Sequence, residues 1–229
     1  MIAICFVVHN NLKYTQGFLE SVARNSYPHS LGFFALDNGS SDGSLEHLNE
    51  MQVSPKVVLR NEGNESLSKG WSRVLQAALD AGAELLCLLN NDILVGPGWL
   101  DAILCEKEKP TKAYWLANGA LKADNLDANV RAQPKTGRTY PGRAGWCLFF
   151  TPEAAREFLP IPEELRLWCG DDYIHWKLKN AGYAGLAVQD CYVHHFISKT
   201  VQIIQAKGSI QHIIDADKEA YFKITGEKL

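Results

Sequence analysis

The sequence predicts an α/β fold: one domain, with a mostly parallel Rossmann-like sheet flanked by helices. Three observations predict it. Short apolar runs alternate with amphipathic helical stretches through the N-terminal half. Each run is strand-length and is closed by turn-forming residues. The chain has 229 residues, which suits one large domain able to bury a real core.

The elements follow in order. Ile2 to Val8 is continuously apolar, as in a strand buried on both faces. Tyr14 to Asn25 has helical spacing, with Phe18, Leu19 and Val22 on one side. Leu31 to Leu36 is a second buried strand, ending in the turn cluster Asp37-Asn38-Gly39-Ser40-Ser41-Asp42-Gly43-Ser44. Gly43 to Met51 reads as a helix with Leu45 and Leu48 inward. Lys56 to Leu59 is a third strand. Ser68 to Ala81 is a helix that buries Trp71, Val74, Leu75 and Ala78. Glu84 to Leu89 is a fourth strand, ending in Asn90-Asn91-Asp92. This alternation implies parallel pairing through right-handed crossovers.

The second half reads differently. Asp124 to Gly142 is polar and weakly periodic, a long loop of the kind that is usually functional or mobile. Gly145 to Thr151 is a short strand. Pro152 opens a helix, where a missing N–H costs nothing. Asp171 to Ala181 is a second amphipathic helix, and Tyr183 to His195 is mainly strand. Val201 to Ile224 reads as a C-terminal helix broken near Gly208. No repeat or linker divides the chain.

Composition narrows the function. The residues are 46% hydrophobic and 21% charged, which argues against disorder. The net charge is −3, so no global basic field draws in nucleic acid or an anionic membrane. Two local basic clusters, Lys107-Lys109-Lys112 and Lys135-Arg138-Arg143, read first as solvated surface. Six cysteines are scattered without a CxxC pair, which removes zinc-ribbon and thioredoxin readings and fits a reducing compartment. The start of the chain has no basic region or cleavage site. No apolar run reaches the roughly 20 residues of a spanning helix. The expectation is a soluble cytoplasmic protein without an integral membrane segment.

In open α/β sheets, ligands bind beyond the carboxyl ends of the strands. The polar clusters fall there: His9-Asn10, Asp37, Asn61 and Asn90-Asn91-Asp92. Asp37 can accept a hydrogen bond from a nucleobase imide, or close an Asx-turn, with Asp42 capping the next helix. Asp92 offers the hard oxygen that a cation bridging two phosphates prefers; Asn-Asn-Asp is also turn chemistry. Asp171 and Asp172 open a helix, where the dipole favours acids. One of them can instead serve as a base for an acceptor hydroxyl. His194 and His195 end an apolar strand and point to opposite faces, so at most one reaches a metal.

Taken together, these clusters resemble the family 2 glycosyltransferases of the GT-A fold, nearly end to end. Val7-Val8-His9-Asn10-Asn11 resembles the family's first strand and turn beside the nucleotide. Leu36 to Gly43 resembles the D-D-G-S-x-D-G signature, with Asn38 at the second acid. Arg60-Asn61-Glu62-Gly63 with Gly70 resembles a donor-site N-x-G-x-x-x-G segment at longer spacing. Asn90-Asn91-Asp92 resembles the D-x-D element in its rhamnosyltransferase-like N-N-D form. Gly145 to Phe149, with Trp146, resembles the floor of the sugar site. Gly170-Asp171-Asp172 resembles the E-D segment with its base, and Lys177 stands where Arg is usual. Val193-His194, with Ser198 beyond, resembles the late metal-binding histidine.

The resemblance implies an inverting transfer from a nucleotide-sugar donor to an acceptor hydroxyl, with Mn²⁺ or Mg²⁺ as cofactor. The donor would be a UDP- or dTDP-sugar, with a GDP-sugar still open. The acceptor would be a glycan or another hydroxyl-bearing molecule; a nucleic acid is disfavoured but stays open. It implies donor binding by Val8, His9, Asn10, Asp37, Asn38, Arg60, Asn61, Gly70, Asn90, Asn91 and Trp146. It implies metal binding by Asp92 with His194 or His195, and catalysis by Asp171 or Asp172. Residues 1–100 would form the donor half of the single domain, 101–198 the acceptor half and 199–229 a C-terminal helical segment. The loop at 124–142 would close over the donor, and Trp146 and Trp168 would stack on sugar rings. A nucleotidyltransferase and a non-catalytic sugar-binding protein are the alternatives. The first would be expected to carry a basic Gly-rich phosphate loop where this chain has His9-Asn10-Asn11-Leu12-Lys13.

Overall fold

The computed structural model describes residues 1–120, 139–141, 145–196 and 210–229. The first strands and helices alternate as the sequence predicts: β1 (Ile2–Val8), α1 (Leu12–Asn25), β2 (Leu31–Asn38), α2 (Ser44–Glu50), β3 (Lys56–Asn61), α3 (Leu67–Asp80) and β4 (Leu85–Leu89). Then come β5 (Ile93–Val95), α4 (Trp99–Lys107), β6 (Ala113–Ala120), β7 (Thr139–Pro141) and β8 (Cys147–Phe150). The chain continues through α5 (Pro152–Phe158), α6 (Gly170–Asn180), β9 (Ala184–His195) and α7 (Gln211–Thr225).

The described strands form one sheet in the order β3-β2-β1-β4-β8-β6-β9-β5, with β7 paired to β9. β1, β2, β3 and β4 pair in parallel, as do β6 and β9. β8 runs antiparallel between β4 and β6, and β5 and β7 run antiparallel to β9. The parallel run β3-β2-β1-β4 comes from the first ninety residues; every antiparallel ladder involves β8 or β9 of the second half.

The central strands alternate between two cores, as a period of two requires. Ala3, Cys5, Val7, Leu86 and Leu88 face Trp71, Val74, Leu75 and Ala78 of α3. Ile4, Phe6, Val8, Cys87 and Leu89 face Phe18 and Val22 of α1 and Trp99 of α4. β1, β2 and β4 are therefore apolar throughout, while edge strand β3 is only half-buried. In α2, Leu48 is fully buried and Leu45 half-buried, the side expected of them.

Four elements go unread in the sequence. β6 is one, and non-local ladders with β8 and β9 set its place. β7 lies inside the stretch read as loop, because it pairs with β9 and gains its order from that non-local ladder. β5 is three residues between turn formers, too short to show a period. α4 follows Gly98, whose φ of 73° is a left-handed conformation that favours glycine. The remainder of the expected loop, the Lys135-Arg138-Arg143 cluster, Ser198 and the break near Gly208 lie outside the described residues. In the other basic cluster, Lys109 pairs with Glu106 at 2.6 Å, and Lys112 donates to the Ala181 carbonyl at 2.6 Å. These lysines are occupied at the surface.

Candidate active site

A cavity of about 470 Å³ opens beyond the carboxyl ends of β1 and β4. One wall carries Val7, His9 and Asn38, with Asn64 and Glu65 beyond them. The tip of β4 supplies Asn90, Asn91 and Asp92; Gly145, Trp146 and His195 adjoin it. Arg166, Leu167 and Trp168 line the cavity with Asp171, Asp172 and Ile213.

Asp92 is only 4% exposed, and its carboxylate meets His195. Oδ1 lies 3.2 Å from His195 Nε2. The sheet sets this contact: β5 opposes β9, Ile93 faces His195, and the Phe196 amide donates to the Asp92 carbonyl at 3.0 Å. The His195 ring also stacks on Trp146 at 5.5 Å. His194 points to the other face and packs edge-on against Phe196. Of the two histidines, His195 lines the cavity beside Asp92, whereas the motif alignment selects His194.

Asp171 and Asp172 sit in the first turn of α6 and both line the cavity. Cys169 before them adopts a left-handed φ of 62°, which bends the chain into the helix. Asp171 packs directly over Gly145, where a Cβ would collide with its carboxylate. The absence of a side chain at Gly145 thus makes room for an acid. Burial, then the charges of Asp172, Asp217 and Asp171, push the Cys169 thiol up to about 12.

Asp37 is fully buried behind the cavity wall. Its Oδ2 accepts from the Ser40 amide, three residues on, at 3.2 Å, which holds the turn after β2. Its Oδ1 is buried and accepts no hydrogen bond from any described residue. A buried carboxylate oxygen without a partner is costly, and a ligand N–H would satisfy it.

Other residues of the expected donor set are engaged with the protein itself, at the cavity border or behind its wall. Val7 lines the cavity instead of Val8, because adjacent residues of a strand face opposite ways and Val8 is in the α1-side core. Asn10 has a left-handed φ of 56°; its amide donates to the Ser40 hydroxyl and its side chain accepts from Ser41. Asn38 borders the cavity, but its amide is fully committed. It donates to Asn64 Oδ1 and the Glu65 carbonyl, and accepts from Asn61 and the Glu65 amide. Asn61 also accepts from Arg73. Arg60 is exposed on the edge strand, opposite Asp37 in the register. Gly70 lets α3 approach β1: a Cβ there would come within 3.0 Å of Val7. Asn91 donates to Thr15 at 3.0 Å and braces the turn. These residues shape the backbone around the site.

A family model described as glycosyl transferase family 2 matches residues 3–155. The chain belongs to that family. No curated protein sequence matches it. Solved structures with the same fold include three glycosyltransferases. GalNAc-T7, crystallised with UDP, GalNAc and Mn²⁺, is 18% identical with a TM-score of 0.65; the match covers 85% of this chain and 43% of that one. S. aureus TarS 1-349 in complex with UDP is 17% identical with a TM-score of 0.64, over 95% and 70% of the two chains. The mannosyltransferase PcManGT from Pyrobaculum calidifontis, in complex with GDP-Man and Mn²⁺, is 17% identical with a TM-score of 0.65, over 94% and 63%. This family 2 chain thus spans less than half of GalNAc-T7, and the likeness speaks to the fold.

Sequence reasoning missed Arg166 and Asp217. Arg166 is a cation bordering a cavity that otherwise carries acids. Asp217 is an acid with no exposed surface. The second had a signal: Ile210, Asp217 and Tyr221 share one helical stripe, and an acid on a buried stripe needs a reason.

Proposed function

We propose that this family 2 chain is an inverting glycosyltransferase that moves a sugar from a nucleoside-diphosphate donor to an acceptor hydroxyl. One observation carries the reading: the Asp92–His195 pair and the Asp171–Asp172 pair border the same cavity. One pair is suited to a diphosphate-bound cation, the other to removing a proton.

The residues fit a divalent metal. Among the described residues no group of three or more His, Cys, Asp or Glu side chains is arranged to hold one. A cation on a diphosphate needs little protein: one or two carboxylates, with phosphate and water completing its coordination. Asp92 and His195 would hold Mn²⁺ or Mg²⁺. When bound, the metal neutralises charge on the diphosphate leaving group.

The remaining chemistry belongs to the chain. Asp37 Oδ1 takes the imide N–H of a uracil or thymine base, or the corresponding N–H of guanine, once the residues covering it shift to uncover the carboxylate. Asp171 or Asp172 takes the proton from the attacking acceptor hydroxyl. That oxygen bonds to the anomeric carbon as the bond to the diphosphate breaks, so the configuration inverts. Trp146 offers an aromatic face to the sugar. Residues 1–100 act as the donor half, 101–198 as the acceptor half, and 199–229 as a C-terminal helical segment. Among the described residues no helix is long and apolar enough to cross a membrane. The six free cysteines are in keeping with a cytoplasmic location.

The test is a thermal-shift panel of UDP-, dTDP- and GDP-sugars with and without Mn²⁺. The expected result is a stabilisation by one nucleotide class that requires the metal. No metal-dependent shift with any of them overturns the reading.

A further inference from the structure

α7 lines the cavity with Ile213 and reaches the neighbouring wall segment through a carboxylate, Asp217. Asp217 has no exposed surface, although an acid seldom sits there without a salt bridge. Its Oδ2 accepts from the amides of Leu167 and Trp168, at 2.8 and 2.6 Å. Its Oδ1 is buried and accepts from no described residue. The two amides precede the left-handed Cys169 and the helix that carries Asp171 and Asp172. They belong to the segment whose residues Arg166, Leu167 and Trp168 line the cavity.

Among the described residues, little else holds that segment. It is neither helix nor strand, and Trp168 is 39% exposed. The Arg166 carbonyl accepts from the Leu67 amide at 2.6 Å, which ties the segment's start to α3. The next two amides rest on Asp217. One carboxylate oxygen thus holds two consecutive amides through short charge-assisted hydrogen bonds.

We propose that Asp217 is a positioning residue: it fixes the Arg166–Trp168 segment as the acceptor-side wall of the cavity and so couples the C-terminal helix to the site. The assignment of this wall to the acceptor rests on the glycosyltransferase reading above. Asp217 touches no substrate. It acts through the two amides, and through them on the Trp168 ring and the entry to the acidic pair.

The experiment compares wild type, Asp217→Ala and Asp217→Asn in the full chain. The asparagine keeps one oxygen that can accept both amides and removes the charge. Hydrogen exchange is followed in peptides covering residues 165–172, with UDP and Mn²⁺ affinity and transfer from the accepted donor to a panel of p-nitrophenyl glycosides. Asp217→Ala is expected to speed exchange at 167–168 by tenfold or more and leave the β1–β4 peptides and UDP affinity unchanged. It should also raise KM for the glycoside by tenfold or more, with a smaller change in kcat. Asp217→Asn is expected to restore all three to within threefold.

Unchanged exchange at 167–168 in Asp217→Ala overturns the proposal. An Asp217→Asn protein that keeps slow exchange but loses transfer also overturns it, because charge would then matter and position would not. If Asp217→Ala does not fold, the Asp217→Asn protein decides on the same readings. If wild type neither binds UDP nor uses any nucleotide sugar, the glycosyltransferase reading fails. The exchange data then still decide whether Asp217 holds the segment.

Discussion

His195 presents Nε2 to Oδ1 of Asp92 at 3.2 Å, although the two residues lie 103 positions apart. The antiparallel pairing of β5 with β9 brings them together, and Trp146 stacks on the imidazole from beside them. His194, one residue away, faces elsewhere. The pair therefore gives a sharp contrast between two adjacent histidines.

His195→Ala should weaken metal-dependent nucleotide binding by roughly 10–100-fold, the range seen when a group that tunes a metal site is lost. Asp92→Asn should do at least as much. His194→Ala should leave that binding within threefold. Calorimetric titration of UDP with and without Mn²⁺ measures all three. Equal losses from both histidines would remove the distinction drawn here.

How much of this was legible in the sequence depends on the range of each contact. β1 to β4 were readable because their apolar runs and the helices between them are local patterns. The choice of His195 was not, because it depends on the register of β5 against β9, and β5 is only three residues long. Val7 in place of Val8 is the same kind of difference: a strand's face is set by its neighbours in space. Asn38 resembled a nucleotide-binding acid position, yet its four hydrogen bonds go to Asn61, Asn64 and Glu65, which no motif displays.

The acidic pair predicts a loss separable from binding. The variant that removes the base, Asp171→Asn or Asp172→Asn, should reduce transfer by roughly 10²–10⁴-fold, the contribution of a positioned general base. UDP affinity should stay within threefold, because the acids stand on α6 while Asp92 and His195 stand at the tips of β4 and β9. Initial rates and titrations on both variants assign the base. Full transfer in each would show that neither acid accepts the proton.

Gly145 predicts a mutation outside the acids that acts on one of them. A Cβ at this position collides with the Asp171 carboxylate. Gly145→Ala must therefore shift Asp171 or the backbone beside Trp146. Overpacking of this kind costs about 1–3 kcal/mol. Denaturant unfolding should show that loss, and transfer should fall with it. Gly82→Ala serves as a control for glycine removal: its added Cβ would meet nothing within 4 Å, though its φ of 75° carries its own strain.

Asp42 predicts a pH dependence of stability. Its Oδ2 accepts from the Leu12 amide at 2.8 Å, and its Oδ1 from the Ser44 hydroxyl and amide at 2.6 and 3.1 Å. Burial alone would raise this carboxyl, but the hydrogen bonds from Ser44 and Leu12 outweigh it and hold it below the ordinary range. A depressed folded value means that the stabilisation is present above the unfolded value of about 4 and is lost as pH falls through the folded one. Wild type minus Asp42→Ala stability should therefore be constant near neutral pH and shrink below about pH 4. At neutral pH the difference should be about 1 kcal/mol, the usual worth of a lost cap on α1. A difference that grows in acid would contradict this assignment.

The cysteines predict an order of chemical reactivity. Cys105 is exposed, while Cys5, Cys87, Cys147, Cys169 and Cys191 are buried. Burial pushes the thiols of Cys5, Cys87, Cys147 and Cys191 well up, and that of Cys169 to about 12. The thiolate is the species that reacts with alkylating agents, so both access and charge protect these five. Iodoacetamide at pH 8 should label Cys105 rapidly. The other five should react only through unfolding, at rates that rise with denaturant in parallel. Cys169 is the instructive case, because it lies beside the acidic pair at the cavity. Fast labelling of Cys169 in the native protein would mean that the turn held by Asp217 opens without global unfolding. Asp217→Ala should then speed that labelling selectively and leave Cys5 and Cys87, on the central strands, as slow as before.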